Sequence, residues 1–274
     1  GRTYELFRGD FLTPEHYGVT YTNTPGIPAG EPGGPTGAED SDDQAAAMQA
    51  YLDALATNKW VGKAGDRNSK KFITCYSGLT VNQNVMWDHN DAVIFTRTQD
   101  DFTAVTVVND GDSNQRTQSK PLVVNVRHGY VDAQNASWTA KADANYPDKW
   151  ELTSVNGSSQ HTHDVLDAET HVGIRLAGVK YGQFELDAVG YMNNIQLGHT
   201  ATTPNSHCVG NRITVKHSAV TKFSIVLAAR DLNNAWLNEN VIEAPAMTRN
   251  GSTANGGSIY GISLMYSGTA LAGS

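Results

Sequence analysis

Glu185 and Asp187, set in Phe184-Glu185-Leu186-Asp187, are the residues whose types and spacing suit chemistry best. Side chains alternate between the two faces of a strand, so Phe184 and Leu186 are expected to point into a core and both carboxylates outward on one face. At two residues' separation the pair stands about 7 Å apart at the backbone, which leaves space for a water between an acid and a base, as in an inverting hydrolysis. Arg175, Tyr181, Lys216 and Trp236 supply cations and aromatic rings in neighbouring segments and could line the same surface. The plainer expectation is a solvated polar face.

Two other groupings carry residue types suited to chemistry. His161-Thr162-His163-Asp164, with Asp167, Glu169 and His171 nearby, has alternating imidazoles that could take a metal. The segment reads as a loop and brings no further ligand at a recognised spacing, so neither a metal nor another cofactor is expected. Arg127-His128, with Tyr130 and Asp132, offers a base to remove a proton beside a carboxylate and a cation to stabilise the resulting anion, the residue types of a lyase. Trp138 and Trp150, like Trp236, could stack on a sugar ring if exposed.

The elements that must position these residues begin with a helix. Ser41-Asp42-Asp43-Gln44 has the form of a capping box, with the Ser41 hydroxyl facing the Gln44 amide and two carboxylates at the positive end of the helix dipole. From Gln44 to about Ala56, Ala45, Met48, Leu52 and Leu55 fall on one stripe, the pattern of a helix laid over something apolar. The period then changes. Phe72–Cys75, Leu79–Val81, Val85–Trp87 and Ala92–Phe95 are short β-rich runs bounded by turn formers such as Ser77-Gly78 and His89-Asn90-Asp91. Phe102–Val108, Leu122–Val126 and Tyr130–Asp132 follow, with Arg127-His128-Gly129 as a corner, while 109–119 and 133–163 read as polar excursions.

An internal echo points to stacked strands. Val172-Gly173-Ile174-Arg175-Leu176 recurs as Asn193-Asn194-Ile195-Gln196-Leu197, and Phe223-Ser224-Ile225-Val226-Leu227 reads as a third copy. The spacing of the first two copies, about 21 residues, falls in the range of solenoid repeats. The fold class expected is all-β: a right-handed, single-stranded parallel β-helix capped by an N-terminal amphipathic α-helix, with a β-sandwich as the alternative. Residues 1–40 form an extension and a Pro/Gly-rich linker containing Pro25, Pro28, Pro32 and Pro35. Residues 41–274 form the capped body, which is expected to be cut short at its C-terminus.

His16-Tyr17-Gly18-Val19, the acidic helix opening with Asp40 and Asp43, and Ala235-Trp236-Leu237-Asn238-Glu239-Asn240 resemble features of the pectate-lyase-like superfamily, and of phage tailspikes in particular. The resemblance implies a homotrimeric virion tail protein that meets other tail proteins and binds and depolymerises bacterial capsular polysaccharide or lipopolysaccharide. Hydrolysis is the expected reaction, with lyase chemistry or a non-enzymatic anchoring role as alternatives. Catalytic residues of such proteins sit in no transferable motif, so the resemblance assigns none here.

Charge and composition narrow the partners. A formal net charge of −8 over 274 residues argues against nucleic acid as a partner. Cys75 and Cys208 have no metal spacing and read as free core thiols. No apolar run is long enough for a membrane span, and the start does not read as a signal peptide, so release by host lysis is expected.

Overall fold

A computed structural model describes residues 12–21, 43–58, 61–63, 72–88, 93–96, 103–109, 121–128, 137–140, 150–156, 159–165, 171–191, 193–199, 208–219, 223–229, 239–244 and 260–266. Their single α-helix, α1 (Ala45–Asn58), follows a 3-10 turn at Pro14–Tyr17. The early strands are short: β1 (Val61–Lys63), β2 (Phe72–Cys75), β3 (Leu79–Asn82), β4 (Met86–Asp88), β5 (Val93–Thr96) and β6 (Val105–Val108). Next come β7 (Leu122–His128), β8 (Ser137–Ala140), β9 (Trp150–Asn156) and β10 (Ser159–Val165). The remainder are β11 (Val172–Ala177), β12 (Gln183–Val189), β13 (Asn193–His199), β14 (Arg212–Ala219), β15 (Phe223–Ala229), β16 (Val241–Glu243) and β17 (Tyr260–Tyr266).

Most of these strands belong to two parallel sheets. One runs β1-β4-β7-β12-β14-β16, with β2 and β5 joined to it through β7; the other runs β17-β15-β13-β11-β6-β3. From β11 to β17 the chain alternates strictly between the two, so the link from β11 to β13 passes through β12, and the link from β12 to β14 passes through β13. Parallel neighbours need a crossover of a dozen residues or more. Here a strand of the opposite sheet supplies it where other folds use a helix. Both large sheets are parallel, unlike the antiparallel ladders of a β-sandwich.

Register explains why this order is stable. Leu79, Val105, Ile174, Ile195, Ile225 and Ile262 lie side by side across six strands, and Val81, Val107, Leu176, Leu197 and Leu227 form a second row beside them. The opposite sheet aligns Leu122 with Phe184 and Ile213, and Val124 with Leu186 and Val215. Apart from Ile262 and the partly buried Leu227, these residues are buried and join one hydrophobic cluster. Each removes roughly 1.5–3 kcal/mol worth of apolar surface from water. Ile262 is 57% exposed, so the first row ends bare.

The helix closes the other end of that row. Ala45, Met48, Leu52 and Leu55 are buried, the stripe that the spacing predicts, with Tyr51 buried beside them, and α1 packs against β3, the last strand of its sheet. Gln49 completes that strand's edge: its side-chain amide donates to the Thr80 carbonyl (3.1 Å) and accepts from the Thr80 amide (2.8 Å), as another strand would. The expected capping box differs in its residue. Ser41 lies outside the described residues, and it is Asp43 Oδ1 that accepts from the amides of Ala45 (2.9 Å) and Tyr76 (3.0 Å), tying the helix start to the turn after β2.

A column of turns leads into β12, β14 and β16. Tyr181, Gly210 and Glu239, each two residues ahead of its strand's first residue, all adopt left-handed backbone (φ 51°, 67° and 57°). The next residue in each turn is Gly182, Asn211 or Asn240. Asn211 Nδ2 donates to the Val179 carbonyl (3.0 Å) and to Asn240 Oδ1 (2.8 Å), while its Oδ1 accepts from the Gly182 amide (2.9 Å). Asn240 in turn donates to the Cys208 carbonyl (2.8 Å). These stacked amides link the three turns and give the Gly182 amide its partner, a backbone group that a tight turn would otherwise bury unpaired.

Two expectations are corrected in the polar excursion. Residues 159–165, read as a loop, form β10, which pairs antiparallel with β9; β8 pairs antiparallel with β9 on its other side. The corner at Arg127-His128 is instead the end of β7, and His128 is buried inside. The linker, the strand expected at Tyr130–Asp132 and the segment around Trp236 lie outside the described residues.

Candidate functional site

Glu185 and Asp187 stand on the outer face of β12, because Phe184, Leu186 and Ala188 fill the core side in strict alternation. Across the ladder to β14 that alternation breaks. Leu186 pairs with Val215 and Asp187 with His217, which makes Lys216 an extra residue in a β-bulge. Two consecutive residues, Lys216 and His217, thereby stay on the outer side while Ser218 turns inward.

The bulge sets a basic side chain beside each carboxylate. Lys216 Nζ lies 3.0 Å from Glu185 Oε2, and His217 Nδ1 lies 3.7 Å from Asp187 Oδ1. On the other flank Asp187 is in register with Asn125 of β7, and Arg127 of β7 acts on it electrostatically. Burial pushes the Asp187 carboxyl above its ordinary value, and the charges of His217 and Arg127 draw it back part of the way. Asp187 Oδ1 is shielded from water, and at 3.7 Å the His217 nitrogen stops short of a hydrogen bond to it. Two carboxylates on one face thus have unlike surroundings, the condition for an acid and a base to be separated.

Of the residues grouped with this pair from sequence, Lys216 is adjacent. Tyr181 lies in the turn before β12, about 13 Å of strand away from Glu185. It is 59% exposed, its amide donates to the Val209 carbonyl (2.8 Å), and its ring lies over Gly210, where a Cβ would come within 2.5 Å of it. Left-handed backbone is strained for a tyrosine, so this ring is held in place by its turn. Arg175 is not brought to the site: it sits on β11 in the other sheet, 8% exposed, with Nε donating to Gln196 Oε1 at 2.7 Å. Trp236 falls outside the described residues.

The other groupings resolve differently. His128 is buried and faces His171, which is unsuited to an exposed lyase base; Tyr130 and Asp132 lie outside the described residues. His161 and His163 lie on β10, and Asp167 and Glu169 are outside the described residues. Among the described residues no group of three or more His, Cys, Asp or Glu side chains could hold a metal. Cys75 and Cys208 are free and buried; burial raises both thiols, that of Cys208 to about 11.

His217 and Asn125 escaped sequence reasoning. The signal for His217 was available in Ile213-Thr214-Val215-Lys216-His217-Ser218, where two polar residues in succession interrupt the alternation. Among the described residues no helix is long and apolar enough to cross a membrane. No family model, curated protein or solved structure matches this chain.

Proposed function

We propose that this chain is a tailspike-like right-handed parallel β-helix, trimeric on a virion, that binds bacterial capsular polysaccharide or lipopolysaccharide and hydrolyses its glycosidic bonds. Asp187 acts as the general acid that protonates the leaving oxygen, and Glu185 as the base that activates a water. Lys216 orients Glu185, and Tyr181 offers its exposed ring to a sugar further along the chain. The solenoid part of this reading is supported by the strict alternation of strands between two parallel sheets and by the unbroken rows through Ile174 and Ile195. The observation that carries the chemistry is the outward Glu185/Asp187 pair, whose two carboxylates the β14 bulge surrounds differently.

Reducing-end release from purified capsule and lipopolysaccharide tests it. Wild-type protein should generate new ends, and Glu185→Gln or Asp187→Asn should lower the rate at least about 100-fold without altering circular dichroism. Unchanged turnover in both variants removes the pair. A product absorbing in the ultraviolet would instead indicate a lyase. The same ion pairs favour a second reading, a spike surface that holds glycan without cutting it, because both carboxylates already have protein partners. Retention of glycan with no new ends would support that reading.

A further inference from the structure

Asn125 of β7 and Asp187 of β12 are register partners on neighbouring parallel strands, about 4.8 Å apart at the backbone. Val124 and Val126 on one strand, and Leu186 and Ala188 on the other, are buried, so both polar side chains rise from the same outer face. The two are equally long, one methylene and a planar head, and end at the same height above the sheet. Each ends in an oxygen shielded from water and without a hydrogen-bond partner: Oδ1 of the Asn125 amide and Oδ1 of the Asp187 carboxyl. Two acceptors cannot satisfy one another, and leaving both shielded and unpaired is costly.

We propose that Asn125 is a positioning residue that holds a proton on Asp187, with the Asp187 Oδ1–H donating to Asn125 Oδ1 across the ladder between β7 and β12. One proton then satisfies both oxygens. Burial, the largest influence on this carboxyl, favours its neutral form, and the neutral form is the one that needs an acceptor. An amide carbonyl supplies it without adding charge. The catalytic consequence rests on the proposed general-acid role of Asp187, since a general acid must arrive protonated. A half turn about Cβ–Cγ exchanges the two carboxyl oxygens and carries the proton off the amide to the outer side, where it passes to the leaving oxygen. The carboxylate left behind is stabilised by the charges of His217 and Arg127, and Glu185 takes the proton of the attacking water.

The charged groups around Asp187 pull the other way. His217 of β14 stands 3.7 Å from it, and Arg127 lies two residues along β7 from Asn125; both favour the ionised carboxylate and so oppose the proton that the amide retains. Glu185, on the same face of β12, is paired with Lys216 of β14 at 3.0 Å. Further along that face Arg212 of β14 and Glu243 of β16 are paired at 2.9 Å. His128 of β7 turns into the core, and Arg175 of β11 and His199 of β13 belong to the opposite sheet.

Carbon NMR of the full chain, labelled at the Cγ of aspartate and asparagine and titrated between about pH 3 and 9, tests this. Asp187, assigned by the signal lost in Asp187→Asn, should titrate above the ordinary aspartate value of about 3.9. In Asn125→Leu, which keeps the bulk and removes the acceptor, Asp187 should bind its proton at least about tenfold more weakly. His217, Arg127 and burial are common to both proteins, so the difference reads the amide. A wild-type midpoint at or below the ordinary value, or a midpoint unchanged or raised in the variant, overturns the proposal; a rise would mean that the amide donates Nδ2–H to an ionised carboxylate instead. Should the variant not fold, Asn125 Cγ of the wild type decides. It should move downfield as Asp187 takes its proton, because accepting a hydrogen bond deshields a carbonyl carbon; no movement, or movement upfield, overturns the proposal. Where glycan is cleaved, the alkaline limb of kcat/KM should shift to lower pH in Asn125→Leu by the same factor. The expected titration without any cleavage would remove the hydrolase reading and leave the proton-holding role standing.

Discussion

Asp187 is pulled two ways, and the balance has a measurable sign. Burial raises its carboxyl, while His217 and Arg127 lower it. The net direction is upward, so between the ordinary carboxylate value and the raised one the folded chain binds more protons than the unfolded chain. Stability then falls as pH rises through that window, and the ionised group is a liability at neutral pH. Asp187→Asn should accordingly melt at a higher temperature than wild type at pH 7, with the gap closing toward pH 3.5, as thermal denaturation at the two pH values would show. The half-exposed His217 contact that it removes contributes little. A residue whose loss stabilises the fold while abolishing cleavage would be marked as kept for function. The outward placement of this carboxylate was legible in Phe184-Glu185-Leu186-Asp187. Its surroundings were not, because they come from β7 and β14, which are distant in sequence.

Among the elements, the strands were easier to read than the turns that align them. The echo between Val172-Gly173-Ile174-Arg175-Leu176 and Asn193-Asn194-Ile195-Gln196-Leu197 corresponds to the observed pairing of β11 with β13, since equal inner patterns bury equally well side by side. Arg175 shows the limit of such reading. Alternation marks it as outward, yet whether an outer face meets water depends on what lies over it, which local pattern does not encode. The turn column was also hidden, because its asparagines look like ordinary turn formers until Asn211 is seen bridging Val179, Gly182 and Asn240. Asn211→Ala would strand the buried Gly182 amide, while the Val179 carbonyl keeps the Val209 amide (3.2 Å). The expected loss is roughly 1–3 kcal/mol, read as a lower urea midpoint with unchanged slope.

For the molecule as a whole, register is the common currency: six strands keep one row of aliphatic side chains aligned from Leu79 to Ile262, and α1 seals the Leu79 end. Removing one residue from the middle of a strand would ordinarily swap every following side chain to the wrong face. Lys216 is the exception. With it gone, Val215, His217 and Ser218 would follow one another in, out and in, which is plain alternation opposite Leu186, Asp187 and Ala188. A chain lacking Lys216 should therefore fold with a melting temperature at or above the parent's, while Glu185 stands without its ammonium neighbour. A single-codon deletion tolerated in mid-strand would mean that folding never asked for that lysine, and that selection for something other than folding keeps it there.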